Sequence, residues 1–316
     1  MNISEIYNLA IQMGIAADPR GKDGVAKSLK RTQKKYDKLS DAEKKDFDSE
    51  SLTNPYADTR IHFGDPNTEV KTVMVGIDME EPEIMLGAMS QDKVDLIIGH
   101  HPTGKALAAL DEVMNLQADL MAAYGVPINV AEGVMANRIK EVARSLSPVN
   151  HMRPVDIAKR VNMPLMNIHT PADNLVFRFL QDLMDAEKPE TVGEVVDLLK
   201  TIPEYHEAGK NNAGPVIFSG LPENRAGKIV AFDITGGTSG AKELYPELVK
   251  AGVGTVIGMH MKDESREEAI KNHLNVVIAG HISSDSLGMN LFLDKLEEKG
   301  IKIIPLSGLI RVTRTK

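Results

Sequence analysis

The 316-residue chain contains no cysteine and no tryptophan. Without cysteine there is no disulfide, no thiolate metal ligand and no cysteine nucleophile, so any metal must be held by imidazole, carboxylate or backbone oxygen. Aromatic residues make up only 4%. The core must therefore be packed from Ile, Leu, Val, Ala and the 16 Met, and Phe63 and Tyr205 are the few candidates for stacking on a nucleobase. No apolar run approaches the roughly 20 residues that span a bilayer. The opening residues lack a basic segment followed by an apolar core. The expectation is a cytoplasmic protein with no membrane partner. Positive charge is also short: 37 Lys and Arg against 45 Asp and Glu give a formal net charge of −8, which speaks against general nucleic-acid affinity. A Gly-x-Ser-x-Gly elbow, a Walker motif and the Rossmann glycine spacing are all absent.

Hydrophobic content of 42% and charged content of 26% are those of a globular protein, and the length suits two domains or one with insertions. Residues 1–60 read as a helical extension. Ile3, Ile6, Tyr7, Ala10 and Ile11 share one helical face, and Asn2 with Glu5 fits a capping box. The Lys/Arg-rich stretch from Lys27 to Lys45 reads as a solvated helical surface. From about residue 61, strand-like and helix-like segments alternate. Strands are predicted at Val70–Ile77, Val94–Ile98, Val126–Val130, Pro164–Ile168, Val216–Ser219, Lys228–Asp233, Val253–Gly258, Val276–Ala279 and Lys302–Pro305. Helices are predicted at Ala106–Tyr124, Ala136–Leu146, Leu175–Met184, Val192–Leu199, Ala241–Ala251, Glu264–His273 and Met289–Lys299, with a loop over Pro203–Gly214. Such alternation predicts α/β architecture with mostly parallel strands.

Three strands end alike: Ile97-Ile98-Gly99-His100-His101, Val256-Ile257-Gly258-Met259-His260 and Val277-Ile278-Ala279-Gly280-His281. Two related halves facing one cleft would produce this echo. The pair His100-His101 before Pro102 carries the most information. Glycine permits a sharp turn and proline ends the ladder, which places two imidazoles at a strand end, where open α/β sheets hold ligands. Neighbouring strand side chains diverge, so a turn or two nearby ions is needed to use both rings. His281 and Asp285 stand four residues apart and share a face if the segment is helical. Asp173, in Ile168-His169-Thr170-Pro171-Ala172-Asp173-Asn174, reads either as a helix cap or as a carboxylate bridging two ions. The turn Gly236-Gly237-Thr238-Ser239-Gly240 lies between a strand and a helix, a place for an anion. His260 is a weaker candidate for proton transfer, and no other catalytic residue stands out.

In order along the chain, these segments resemble the GTP cyclohydrolase 1 type 2 homologue family, the Nif-three-like dinuclear-metal proteins. The resemblance rests on Gly64-Asp65-Pro66, Val73-Met74-Val75-Gly76-Ile77-Asp78, His100-His101-Pro102, His169-Thr170-Pro171-Ala172-Asp173, Gly236–Gly240 and Gly280-His281-Ile282-Ser283-Ser284-Asp285. It covers roughly residues 60–312. It implies two divalent ions (Zn, Fe, Mn, Co or Ni) held by His100, His101, Asp173, His281 and Asp285, with Asp173 bridging. It implies two α/β halves, 61–175 and 176–316, with the site in the cleft between them. It also implies a homo-oligomer, a hexamer in many members. This chain departs from the family in having Asp285 for the usual glutamate, His260 where an acidic residue is usual, an insertion at about 105–165, and the extension 1–60. The expected function is a metal-dependent hydrolase, GTP cyclohydrolase-like or acting on small phosphorylated or nucleotide-like substrates. The alternative is a non-enzymatic metal-binding scaffold or regulatory oligomer.

Overall fold

The computed structural model describes residues 1–315. Among them, nine strands form two sheets. The strands are β1 (Arg60–Phe63), β2 (Thr72–Gly76), β3 (Leu96–Gly99), β4 (Leu165–Asn167), β5 (Val216–Ser219), β6 (Lys228–Asp233), β7 (Val253–Gly258), β8 (Asn275–Ile278) and β9 (Lys302–Pro305). The sheet orders are β1-β4-β3-β2-β9 and β5-β8-β7-β6. In each sheet the first strand is antiparallel to its neighbour and the others are parallel. Taken in chain order, β1–β4 and β5–β8 follow the same plan. The protein is thus an α/β molecule built of two related halves.

The strands of the first sheet are short and apolar because both faces are covered. Val73, Val75, Leu96, Ile98 and Met166 pack toward Ile3, Ile6, Phe292 and Leu293. Met74, Ile97 and Leu165 point the other way, onto Ile84, Val155, Ala158 and Met163. This is the period of two expected of a strand. Each such side chain, fully buried, contributes about 1.5–3 kcal/mol. The helix Ile3–Ala17 starts as the sequence predicts, with reciprocal capping bonds between Asn2 and Glu5 of 2.8 and 2.9 Å. It packs on the helix Thr170–Glu187, which in turn packs on the helix His281–Glu297. These last two helices follow β4 and β8, equivalent strands of the two halves.

Several local expectations are corrected. Val126–Val130 is not a strand: Ile128 opens a 19-residue helix reaching Leu146. Short apolar runs are ambiguous between the two states, and here Pro127 stands at the helix start. Pro203–Gly214 holds a helix, Pro203–Lys210, begun by the proline. The strand β1 carries little apolar signal. The echo is also regrouped: Gly99-His100-His101 after β3 matches Gly258-Met259-His260 after β7, whereas Gly280-His281 after β8 matches Ile168-His169 after β4. Finally, β9 pairs with β2. The C-terminal residues of the expected 176–316 half therefore complete the first sheet, and the expected 175/176 boundary falls inside the helix Thr170–Glu187.

Candidate metal centre

The two halves meet where β3, β4, β7 and β8 end. His100 and His101 lie in a bend tied to the end of β2: His100 N–H donates to Gly76 O at 2.9 Å and His101 N–H to Ile77 O at 2.9 Å. This bend lets adjacent residues aim at one place, which a regular strand forbids. Three imidazoles are oriented through Nδ1. His100 Nδ1–H donates to Ile168 O at 2.9 Å, His101 Nδ1–H to Asp78 Oδ1 at 2.6 Å and His169 Nδ1–H to Asp58 Oδ2 at 2.8 Å. Each is left with Nε2 as the free nitrogen.

The Nε2 atoms converge on two carboxylates from the two crossing helices. His100 Nε2 is 3.4 Å from Asp173 Oδ1 and 3.4 Å from Asp285 Oδ1. Asp285 Oδ2 is 3.3 Å from His101 Nε2 and 3.5 Å from His281 Nε2. Asp173 Oδ2 is 3.9 Å from His169 Nε2. All five residues expected from the sequence, His100, His101, Asp173, His281 and Asp285, are therefore brought together. Each carboxylate stands four residues beyond a histidine, as helical spacing requires.

The donor set fits a metal ion. His100 Nε2, Asp173 Oδ1 and both oxygens of Asp285 are buried without a hydrogen-bond partner, and each such group left unmatched costs about 1–3 kcal/mol. Ligand atoms of His100, His101 and Asp285 lie within 4.8 Å of one another, as do those of His100, His169 and Asp173. Imidazole and carboxylate suit divalent transition metals. Burial works against charge on Asp285, but His100, His101 and His281 outweigh it and hold the carboxyl well below the usual range. Burial lifts Asp173 to about 6. Burial also opposes the charge on His169, yet Asp173 and Asp58 raise it to about 9. His281 is pushed down to about 4 by burial, helped by the other imidazoles.

Sequence reasoning missed His169, Asp58 and Asp78. For His169 the signal was present: His169 and Asp173 have the same spacing as His281 and Asp285. Asp58 is fully buried in the N-terminal segment and accepts from both His169 Nδ1–H and Thr170 Oγ1. Partners of this kind fix a ligand's tautomer and direction. Asp58→Asn should lower metal affinity about 10–100-fold, and it should also lower the melting temperature of the metal-free protein, because buried His169 loses its charged partner. Competition against a chelator measures the first and calorimetry the second.

Two further expectations change. The helix after Gly240 is only Leu244–Lys250, so Gly236, Gly237, Thr238, Ser239 and Gly240 do not form a helix N-terminus. The inserted helices brace this turn instead: Gln117 Nε2 donates to Gly236 O at 3.0 Å and Arg138 Nε to Ser239 O at 3.0 Å. Gly237 and Thr238 still line a cavity of about 30 Å³ with His169, Asp173, His281 and Asp285. Tyr205 offers no stacking surface, because it is fully buried and its hydroxyl is engaged with Ser284.

By sequence, no family model and no curated protein matches the chain. Solved structures do match. A NIF3 superfamily protein from Sphaerobacter thermophilus is 28% identical, with a TM-score of 0.71, over 80% of this chain and 92% of that one. The chain is NIF3-like. Reduced HcgD from Methanocaldococcus jannaschii, 15% identical with a TM-score of 0.52 over 85% of this chain and 98% of that one, shares the fold. Asp285, although a methylene shorter than the glutamate that the resemblance led to expect, reaches three imidazoles. Among the described residues, no helix is long and apolar enough to cross a membrane.

Proposed function

We propose that the chain is a metal-dependent hydrolase of small phosphorylated or nucleotide-like substrates, working with two divalent ions. The observation that carries this reading is the convergence of buried imidazole and carboxylate atoms with no other partner. One ion would take His101, His281 and Asp285, and the other His100, His169 and Asp173. A neutral imidazole has one free lone pair, so His100 serves one ion only. The resemblance implies Asp173 as the bridge. The contacts favour Asp285 for that role, since its two oxygens face different histidines, whereas both oxygens of Asp173 face the His100 and His169 group.

Ions held there would supply Lewis acidity and lower the pKa of bound water toward neutral. The chain's own residues do the rest. Asp58, Asp78 and Ile168 O keep the rings directed inward. The backbone of Gly237 and Thr238 borders the place where substrate oxygen would sit. A cytoplasmic, homo-oligomeric (hexameric) protein with no nucleic-acid partner is part of the same reading. GTP cyclohydrolase chemistry is a special case of it.

The cavity's volume of about 30 Å³ favours a second reading, a metal-binding scaffold or regulatory oligomer, because it holds little more than a water. The two are separated by screening protein of measured metal content against nucleotides, phosphodiesters and phosphomonoesters. The enzyme reading expects turnover that His101→Ala abolishes with the fold retained. Absence of turnover on every substrate, with loss of assembly on chelation, would establish the scaffold.

A further inference from the structure

We infer that His260 supplies a third imidazole to the ion assigned to His101, His281 and Asp285, making the two metal positions chemically unequal. This rests on the two-ion reading above. The first support is ring placement. The imidazole centroids of His260 and His281 are 4.8 Å apart, edge to face. The spacing is like that of His101 and His281 at 5.3 Å, His100 and His101 at 5.3 Å, and His100 and His169 at 5.0 Å. The five rings form one continuous array, with His260 at its His281 end.

The second support is orientation. His260 Nδ1 lies 3.0 Å from Ser239 Oγ. With Nδ1–H donating to that hydroxyl, Nε2 is left as the free nitrogen, the same device that orients His100, His101 and His169. Ser239 is itself held by the inserted helices, through Arg138 on its carbonyl. His260 also lines the same small cavity as His169, Asp173, His281 and Asp285. That cavity includes Asp233, whose buried Oδ2 has no hydrogen-bond partner. The third support is topology. Gly258 ends β7 as Gly99 ends β3, so His260 takes the place in the second half that His101 takes in the first. Met259 stands where His100 would be.

The result is one position with three imidazoles and a carboxylate, and another with two imidazoles and its carboxylates. Nitrogen-rich sites hold Zn, Ni and Co more firmly than Mn, whereas carboxylate-rich sites are more permissive. The test is Zn²⁺ titration of the full-length metal-free protein against a chromophoric chelator, with elemental analysis of stoichiometry. In wild type, two sites are expected. In His260→Ala, one affinity should fall on the order of 100-fold or more, beyond the worth of an outer partner, while the other is kept, and the weakened site should discriminate less between Zn²⁺ and Mn²⁺. X-ray absorption of the Co²⁺-loaded wild-type protein needs no variant and should show more than two imidazoles per ion on average. Two unchanged affinities in a folded variant, or two imidazoles per ion in wild type, would overturn the assignment of His260 alone. Failure of wild type to bind any ion would instead remove the two-ion reading, and His260 with it.

Discussion

Asp285→Asn should strip the chain of both ions. Outer partners of metal ligands are worth about 10–100-fold in affinity; the loss here should exceed that, on the order of 100-fold or more at each position. The argument is the unequal disposition of the two carboxylates. Asp285 is 1% exposed, with Oδ1 facing His100 and Oδ2 facing both His101 and His281. Asp173 faces only His100 and His169. The asparagine keeps the volume but loses the charge, and puts an NH₂ group, a donor, where an acceptor is needed. The control is Asp173→Asn, which should weaken chiefly one ion. Equilibrium dialysis with elemental analysis reads both. Equal partial losses in the two variants would mean that the carboxylates play equivalent parts, and that Asp285 does not join the ions.

Much of this centre was legible because its chemistry sits at strand ends, where apolar runs stop at glycine. The runs before His100, His260 and His281 are short, largely buried strands, and the histidines mark where the chain leaves each sheet. Asp285 was legible from helical spacing alone. His169 had the same spacing to Asp173 but was hidden by the ordinary reading of Asp173 as a cap. Asp58 and Asp78 had no local signal. They act across β1–β4 and β2–β3, through contacts between segments far apart in the chain, and only the sheet order brings them to their histidines. The glycine turn shows the reverse case. Gly236–Gly240 reads locally as an anion cradle, yet Gln117 and Arg138, from an insertion more than a hundred residues earlier, bond to its carbonyl oxygens. The fold class followed from alternation of strand and helix. The repeated sheet plan needed the pairing, since β1 is an edge strand whose sequence carries little apolar pattern.

Gly288→Ala should destabilise the protein by about 1–3 kcal/mol, the usual cost of overfilling a packed contact, although the same change in an open helix is favourable by about 1 kcal/mol. A Cβ at Gly288 would lie 2.4 Å from Ala172 O and 2.8 Å from Val176 Cγ2. The first of these is backbone of the neighbouring helix and cannot turn aside as a flexible side chain can. The contact falls one residue from Asp173 and three from Asp285, at the crossing of the two helices that deliver the carboxylates. The glycine therefore sets how closely those carboxylates approach. Gly133→Ala and Gly209→Ala, in helices with no atom near the added methyl, are the controls and should be neutral or stabilising. Thermal unfolding decides the sign, and titration decides whether the site is involved. If Gly288→Ala lowers the melting temperature and the affinity for metal together, the crossing holds the centre in register. If stability falls and metal binding is untouched, the helices yield elsewhere, and the spacing of Asp173 and Asp285 is set by the sheets instead.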